Sequence, residues 1–435
     1  MKKMTTFFVL IVILCSTPAI TTVSADSAES TDEEKSPVFE PLNTQDLGHF
    51  SGRVQLLLMR RNFDHQDASS GTLATTLGYV SPDRYPVQVG LTYIHSARLF
   101  EGGSLNPPEG GAYPVLNDRF SILQEAYLKW KLDDLGLSDS HFVVGRKNSD
   151  YDFAPTFAIR QKPQGLEGLF LHLGQWEDFS IDVGHIERFS SWGGRNEGSD
   201  YLHHRYQKIE DVVAAHDGIS APGGASSMQF VNLDAQPLPW LDLTVYDLYG
   251  YNLYNTFGLK TATTLQDGEN GDLVWKKHLV VQNDVGNYNR ALGEGLDATA
   301  LETSLALTRG DFMLEPGLFS VFSDDDLRHP TESSLTWENT LSWFTRAYAG
   351  NSNSAFLKGT YTLGDTSFYA MWFGTKHHRS VGGGAFDQEI DIVISHDFTD
   401  NLSAAIKAGY GHQDNRGGRR DSDREDMRLF VTYSF

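Results

Sequence analysis

Met427-Arg428-Leu429-Phe430-Val431-Thr432-Tyr433-Ser434-Phe435, the end of the chain, alternates an apolar row with a more polar one. In a β-strand successive side chains point to opposite faces, so Met427, Leu429, Val431, Tyr433 and Phe435 share one face. Arg428, Thr432 and Ser434 share the other, with Phe430 among them. A strand of period two is also what an ordinary amphipathic edge strand looks like. What distinguishes a closing strand of an outer-membrane barrel is a lipid-facing row set against a water-facing one, and the rest of the chain is read for more of the same.

The first residues narrow the choice. Lys2 and Lys3 precede an apolar run from Phe7 to Leu14, and Val23-Ser24-Ala25 leads into an acidic, polar stretch. This is the pattern of a secretory signal peptide, residues 1–25, cleaved after Ala25. The run is too short for a stable transmembrane helix. The single cysteine, Cys15, lies within it and would leave with it, and Leu14 stands where a lipoprotein signal wants a small residue. The mature chain then has neither disulfides nor cysteine metal ligands. Residues 26–48 are rich in Ser, Glu, Asp and Thr without periodicity and read as a flexible periplasmic segment, leaving 49–435 for the barrel.

Composition agrees. The chain has 35 Lys plus Arg against 57 Asp plus Glu, a formal charge of −22, and 41 Gly. Its mean hydropathy is −0.35, far too polar for a helical membrane protein, whereas a barrel shows lipid only every second residue. The negative balance speaks against nucleic acid as a partner.

From Ser51 onward the repeating unit is a strand of roughly ten residues followed by Gly, Asn, Asp or Pro. Ser51–Arg61 sets Val54, Leu56 and Leu58 against Arg53 and Gln55. Val87, Val89, Leu91 and Tyr93 oppose Gln88, Gly90 and Thr92, and Phe179, Ile181 and Val183 oppose Ser180, Asp182 and Gly184. Counting on in this way gives an all-β, antiparallel transmembrane barrel of about 18 strands, large enough for an aqueous channel. Tight turns such as Arg309-Gly310-Asp311, Leu363-Gly364-Asp365 and Thr399-Asp400-Asn401 are expected at the periplasmic end. Long segments such as 190–227 and 323–355 are expected outside, with a helical turn at Ile209–Ala215. Trp130, Tyr361 and Tyr433 read as interfacial anchors.

Strand parity also yields a set of inward basic residues: Arg53, Lys129, Lys131, Arg188, Lys260, Lys358, Lys407 and Arg428. Facing lipid at the midplane, each would cost roughly 2 to 4 kcal/mol, so a lumen position is expected. Such a series can bind anions weakly and in succession, although a watery lumen also carries charges of both signs without any track. Asp324-Asp325-Asp326 is expected to be solvated loop charge. His203-His204 and His377-His378 are adjacent pairs whose side chains diverge on a strand, so no metal is expected. No nucleophile elbow, His-Glu-x-x-His or phosphate loop occurs, and neither catalysis nor a cofactor is expected.

Three stretches together resemble the OprD-like family of substrate-specific outer-membrane porins. They are Val144-Gly145-Arg146-Lys147 with Arg160-Gln161-Lys162-Pro163 and Leu166-Glu167-Gly168; Ser323-Asp324-Asp325-Asp326-Leu327-Arg328-His329-Pro330; and Arg424 to Tyr433. Leu166 stands where the family usually has Phe, and Gly-Arg-Lys replaces its Gly-Arg-Gln. The resemblance implies eighteen strands, a third loop folded inward as a constriction, and a basic ladder guiding substrate carboxylates. That loop would be Lys147–Pro163, and Arg146, Asp150, Asp152, Arg160 and Lys162 would set a transverse field across it. It also implies a monomer or loose homotrimer. The expected function is passive diffusion of small hydrophilic solutes, carboxylate-bearing or zwitterionic. The other reading is a non-conducting adhesin or structural barrel acting through its loops. Membrane lipid and lipopolysaccharide would surround the chain, and Phe435 would be the mark read by the barrel-assembly machinery.

Overall fold

The structure is a computed structural model, and it describes residues 47–63, 66–83, 85–103, 119–148, 151, 153–154, 161–190, 205–211, 227–268, 271–293, 295–328, 347–378, 384–414 and 421–435. The proposed signal peptide and nearly all of the segment after it lie outside these residues, as do Asp150, Asp152, Arg160 and the His203-His204 pair. Among the described residues no helix is long and apolar enough to cross a membrane.

The chain runs through β1 (His49–Phe63), β2 (Gln66–Val80), β3 (Val87–Gly103), β4 (Phe120–Lys131), β5 (His141–Asn148), β6 (Gly165–Leu173) and β7 (Phe179–Ser190). A two-residue piece, β8 (Gln207–Lys208), pairs only with β7. Then follow β9 (Met228–Leu238), β10 (Leu241–Gly250), β11 (Tyr254–Gln266), β12 (Asp272–Asp284), β13 (Ala298–Arg309) and β14 (Phe312–Val321). The last five are β15 (Ser352–Leu363), β16 (Thr366–His377), β17 (Phe386–Thr399), β18 (Leu402–Gln413) and β19 (Ser422–Ser434). Each long strand is antiparallel to the next, and β7 pairs directly with β9. β19 returns to β1 in the register Arg53↔Ser434 to Phe63↔Arg424. The eighteen long strands therefore form a closed antiparallel barrel.

The last residue takes part in the closure. The amide of Gly52 donates to the carbonyl of Phe435 (2.8 Å) and the amide of Phe435 donates back to Gly52 (2.9 Å). The Phe435 ring lies over Gly52 so closely that a Cβ there would meet it at 2.2 Å. Only glycine leaves room for the ring.

The two faces sort as the alternation predicts. Outward residues include Leu91, Tyr93, Leu128, Val183, Leu318, Ile390, Ile392 and Tyr433, all exposed. Trp130, Trp240, Phe312, Tyr361, Phe398 and Phe435 lie at the short-turn end of this surface, while Tyr249, Tyr251, Phe322, Phe386 and Tyr410 lie at the other end. Phe430 is buried with Leu57, Met59 and Ala68.

The eighteen strands match the sequence reading one to one, and several are longer than expected. β12 begins at Asp272, and its adjacent Lys276 and Lys277 are accommodated on opposite faces. β3 extends to Gly103. A short helix, α1 (Tyr288–Leu292), was not expected. Of the expected helical turn at 209–215, Ile209, Glu210 and Asp211 are helical and the remainder lies outside the described residues.

Candidate functional site: a loop across a two-sided lumen

The connection between β5 and β6 enters the barrel. Phe153 and Ala154 are fully buried and Tyr151 nearly so. Phe153 stacks on Tyr151 at 5.2 Å and packs on Phe230 of β9 (4.9 Å) and Tyr246 of β10 (5.8 Å). Both strand residues are buried while their neighbours Val231 and Asp247 are exposed, which places them on the inner face.

Further along the same loop, Gln161 is tied to β1, β2 and β3. Its Nε2 donates to the Gln55 carbonyl (2.8 Å), while the hydroxyls of Thr72 (2.8 Å) and Ser96 (3.1 Å) donate to its Oε1. Arg53 Nη2 donates to the Gln161 carbonyl at 3.4 Å. In the order of strands around the ring, β9 and β10 lie nearly half a turn from β1. One loop thus fastens to two distant parts of the inner wall, by aromatic packing on one side and hydrogen bonds on the other.

The wall differs between those sides. From β5 to β16 the inner face is largely apolar, with Val143, Phe170, Met228, Phe230, Tyr246, Leu248, Val280, Phe319, Phe356 and Phe373 in one cluster with the loop aromatics. From β17 round to β1 it is ionic around a small apolar patch of Leu57, Met59 and Phe430. Asp387, Glu389 and Asp391 form a buried row on β17, alternating with the half-buried Gln388 and the exposed Ile390 and Ile392. Their register partners on β18 include Gly411 and Gly409, which carry no side chains and whose partners on β19 are Arg424 and Asp426. Asp426 is buried between two guanidinium groups: Arg61 Nε donates to Oδ2 at 2.9 Å and Arg428 Nε to Oδ1 at 2.7 Å. Lys407 pairs in register with Arg428 and holds its ammonium 5.2 Å from the centre of the Phe430 ring.

A second ionic group interrupts the apolar side. Glu315 of β14 is buried between Lys276 of β12 and Lys358 of β15, each 3.0 Å away, and accepts from the Ser304 hydroxyl at 2.7 Å. An isolated carboxylate in such a place would carry a large desolvation cost; two cations and a hydroxyl offset it.

The residues singled out from the sequence therefore separate into groups. Arg53, Lys407 and Arg428 stand on the ionic wall, and Lys358 belongs to the Glu315 group. Lys260 is the register partner of the buried His278. Lys129 and Lys131 point inward near the short-turn end of β4, where Lys131 pairs with Asp83 at 2.7 Å. That hydrogen bond, the Lys131 charge and then Lys129 hold the Asp83 carboxyl below its usual range. Arg146 and Arg188 line up on either side of Glu167, at 2.6 and 3.7 Å. Lys162 is 1 % exposed, its ammonium donating to the Ser190 hydroxyl (2.9 Å) and the Pro163 carbonyl (3.0 Å). It fastens the loop to the end of β7 and does not present its charge to open water.

Arg61, Arg424, Asp426, Glu315 and the β17 acidic row were not singled out from the sequence. All sit on inward rows of their strands: the acids were not sought, Arg61 shares the row of Arg53 and Gln55, and Arg424 precedes Met427, where the terminal strand was read to begin. The aspartates at 324–326 brace their own loop. Asp325 accepts from the Asp297 amide (3.1 Å) and Asp326 from the Gly350 amide (2.7 Å), while Asp324 accepts from the Asn351 side chain. His377 faces Asp387 at 2.9 Å and His378 faces Asn353 at 2.9 Å, so the two rings point apart.

No family model matches the sequence, and no curated protein is similar to it. Solved structures are. The Acinetobacter baumannii protein OccAB4 superposes with a TM-score of 0.70 at 15 % identity, over 91 % of this chain and 100 % of that one. Pseudomonas aeruginosa OpdK, solved with vanillate, gives 0.69 at 14 % identity, over 89 % and 98 %. OccK2 (OpdF) of the same organism, solved in complex with glucuronate, gives 0.69 at 16 %, over 89 % and 97 %. These neighbours are OprD-type porins, the family that the sequence motifs resemble, and the fold is theirs.

Proposed function

We propose that the protein is an outer-membrane porin, a passive channel for small hydrophilic solutes that bear a carboxylate or are zwitterionic. The observation that carries this reading is the Lys147–Pro163 loop, fastened to both sides of the lumen so that the bore is narrowed beside a wall of Arg, Lys, Asp and Glu. A channel needs sites that hold a solute weakly and in series, and paired charges on a rigid wall supply them. Arg61 and Arg428, paired through the buried Asp426, and the acids of β17 put both signs of charge into one stretch of wall, and their field acts on the carboxylate and the ammonium of a solute in the bore. Two structural neighbours were solved with vanillate or glucuronate, both carboxylates, which supports an anionic group on the solute. The exposed apolar outer band supports placement in a membrane, with the short turns on the periplasmic side. The side chains that line the bore serve to bind and orient and have no catalytic part.

Single-channel recording in planar bilayers tests the reading. Discrete conductance reduced by one class of carboxylate solute is the expected result. A folded barrel that inserts and conducts nothing would overturn it in favour of a binding or structural role for the loops.

A further inference from the structure

Lys277 is a cation in an unusual place on the outer wall. Lys277 follows the inward Lys276 on β12 and therefore faces out, on the same row as Trp275, which is exposed. Its ammonium lies 3.3 Å from the centre of the Trp275 ring, and among the described residues no carboxylate pairs with it. Its register partners on the two neighbouring strands are Thr261 and Thr303. Trp275 Nε1 donates to the Thr303 hydroxyl at 2.9 Å, which fixes the ring beneath the charge.

Beside the ring the wall is notched. Between β13 and β14 the register is constant, but between the pairs Ser304↔Gly317 and Leu307↔Leu314 the ladder lapses at Pro316, which has no N–H to give. The depression here, about 420 Å³, is lined by Trp275, Thr303, Ser304, Leu305, Pro316, Gly317 and Leu318. Lys277 lies five residues into β12 from Asp272, where the chain leaves a short turn. At roughly 3.3 Å per residue and a tilt of about 40°, its Cα is about 13 Å from that end, and leaning back over Trp275 brings the charge nearer the interface.

We propose that Lys277, Trp275 and the notch form a binding site for one glycerophospholipid of the leaflet at the short-turn end. Lys277 takes the phosphate, Thr303 and Thr261 lie at the sides of the headgroup, and an acyl chain fills the depression against Leu305, Pro316 and Leu318. The charge selects the occupant: a second copy of the chain would need a carboxylate at that height, and the outward rows of β11, β12 and β13 around Lys277 offer Thr, Leu and Trp. The site rests on the membrane placement proposed above and adds a specific lipid to it.

The test is native mass spectrometry of the chain extracted from membranes in mild detergent, with phosphatidylethanolamine added as probe. The wild type should retain one lipid. Lys277→Gln should lower its occupancy about five-fold, the equivalent of one basic residue near a lipid surface. Lys277→Arg should retain it, and diacylglycerol, which lacks the phosphate, should bind no better to the wild type than to Lys277→Gln. Excess inorganic phosphate should not displace it. Equal occupancy in wild type and Lys277→Gln, or equal binding of diacylglycerol, overturns the site. Conductance recorded on the same preparations separates the two proposals: normal channels without lipid discrimination sink only the lipid site, and lipid discrimination in a barrel that inserts but does not conduct sinks only the channel.

Discussion

Lys276 and Lys277 are adjacent in the chain and live in different solvents. Lys276 points inward, 3.0 Å from a carboxylate that is itself buried between two lysines. Lys277 points outward and rests on an indole. The difference shows how a barrel wall one residue thick handles charge. Inside, Lys276 is balanced by an acid two strands away; outside, Lys277 is covered by an aromatic surface and reaches along it toward the interface. Substitutions inside should therefore alter what the bore admits, and those outside should leave the bore alone.

The largest effect is expected where the loop meets the apolar wall. Truncating Phe153 to Ala removes a fully buried ring that touches Tyr151, Phe230 and Tyr246, at a cost of about 3 to 5 kcal/mol in packing. Because the barrel closes through its strands whether or not the loop is seated, the loss should appear as loosening of the loop. Conductance should rise several-fold and become noisy in planar bilayers, with the heat-modifiable folded band retained on electrophoresis. An unchanged conductance would mean that the loop does not limit the bore.

Next comes Glu315→Gln, which leaves Lys276 and Lys358 facing each other without the acid between them. Removing one member of a buried ionic group costs roughly 3 kcal/mol, less where the lysines can turn toward water. Denaturant unfolding should shift to lower concentration. The lumen also gains positive charge, so the reversal potential under a salt gradient should move toward anion preference.

The sharpest form of the comparison is the pair Lys276→Gln and Lys277→Gln. The first removes an inward charge and should move the reversal potential toward cations. The second should leave both conductance and reversal potential within the scatter of the wild type. Equal shifts in the two variants would contradict the sidedness on which the description of the wall rests.

How much of this was legible beforehand follows from the physics of the strand. Period two depends only on backbone geometry, so Arg53, Lys358, Lys407 and Arg428 could be assigned inward from sequence alone, and the structure puts them there. The strand count was legible for the same reason. Lys276 and Lys277, adjacent charges in mid-strand, are accommodated because the two faces hold a cation by separate means. Lys162 is a case where sequence reaches only part of the way. Its motif located the loop, but only the fold shows that its ammonium meets Ser190 and Pro163 beneath the loop. The contacts of Gln161 with β1, β2 and β3 span 65 to 108 residues of chain, and no local pattern encodes a partner so far away.

The smallest effect belongs to the seam where the chain closes on itself. Phe435 is exposed on the outer surface, with its ring over Gly52 and two backbone hydrogen bonds to that residue. Deleting it removes those bonds and one aromatic from the short-turn end, while the register from Arg53↔Ser434 to Phe63↔Arg424 remains to hold the ring closed. The assembled barrel should lose about 1 to 2 kcal/mol. Gly52→Val tests the same seam from the other side, since its side chain would collide with the Phe435 ring while leaving the terminal residue in place. If Phe435 serves only to close the seam, the two variants should reach the membrane equally and melt a few degrees early together. If the assembly machinery also reads the terminal aromatic, the deletion alone should lower membrane levels, and immunoblots of membrane fractions beside melting curves of the refolded proteins separate the two roles.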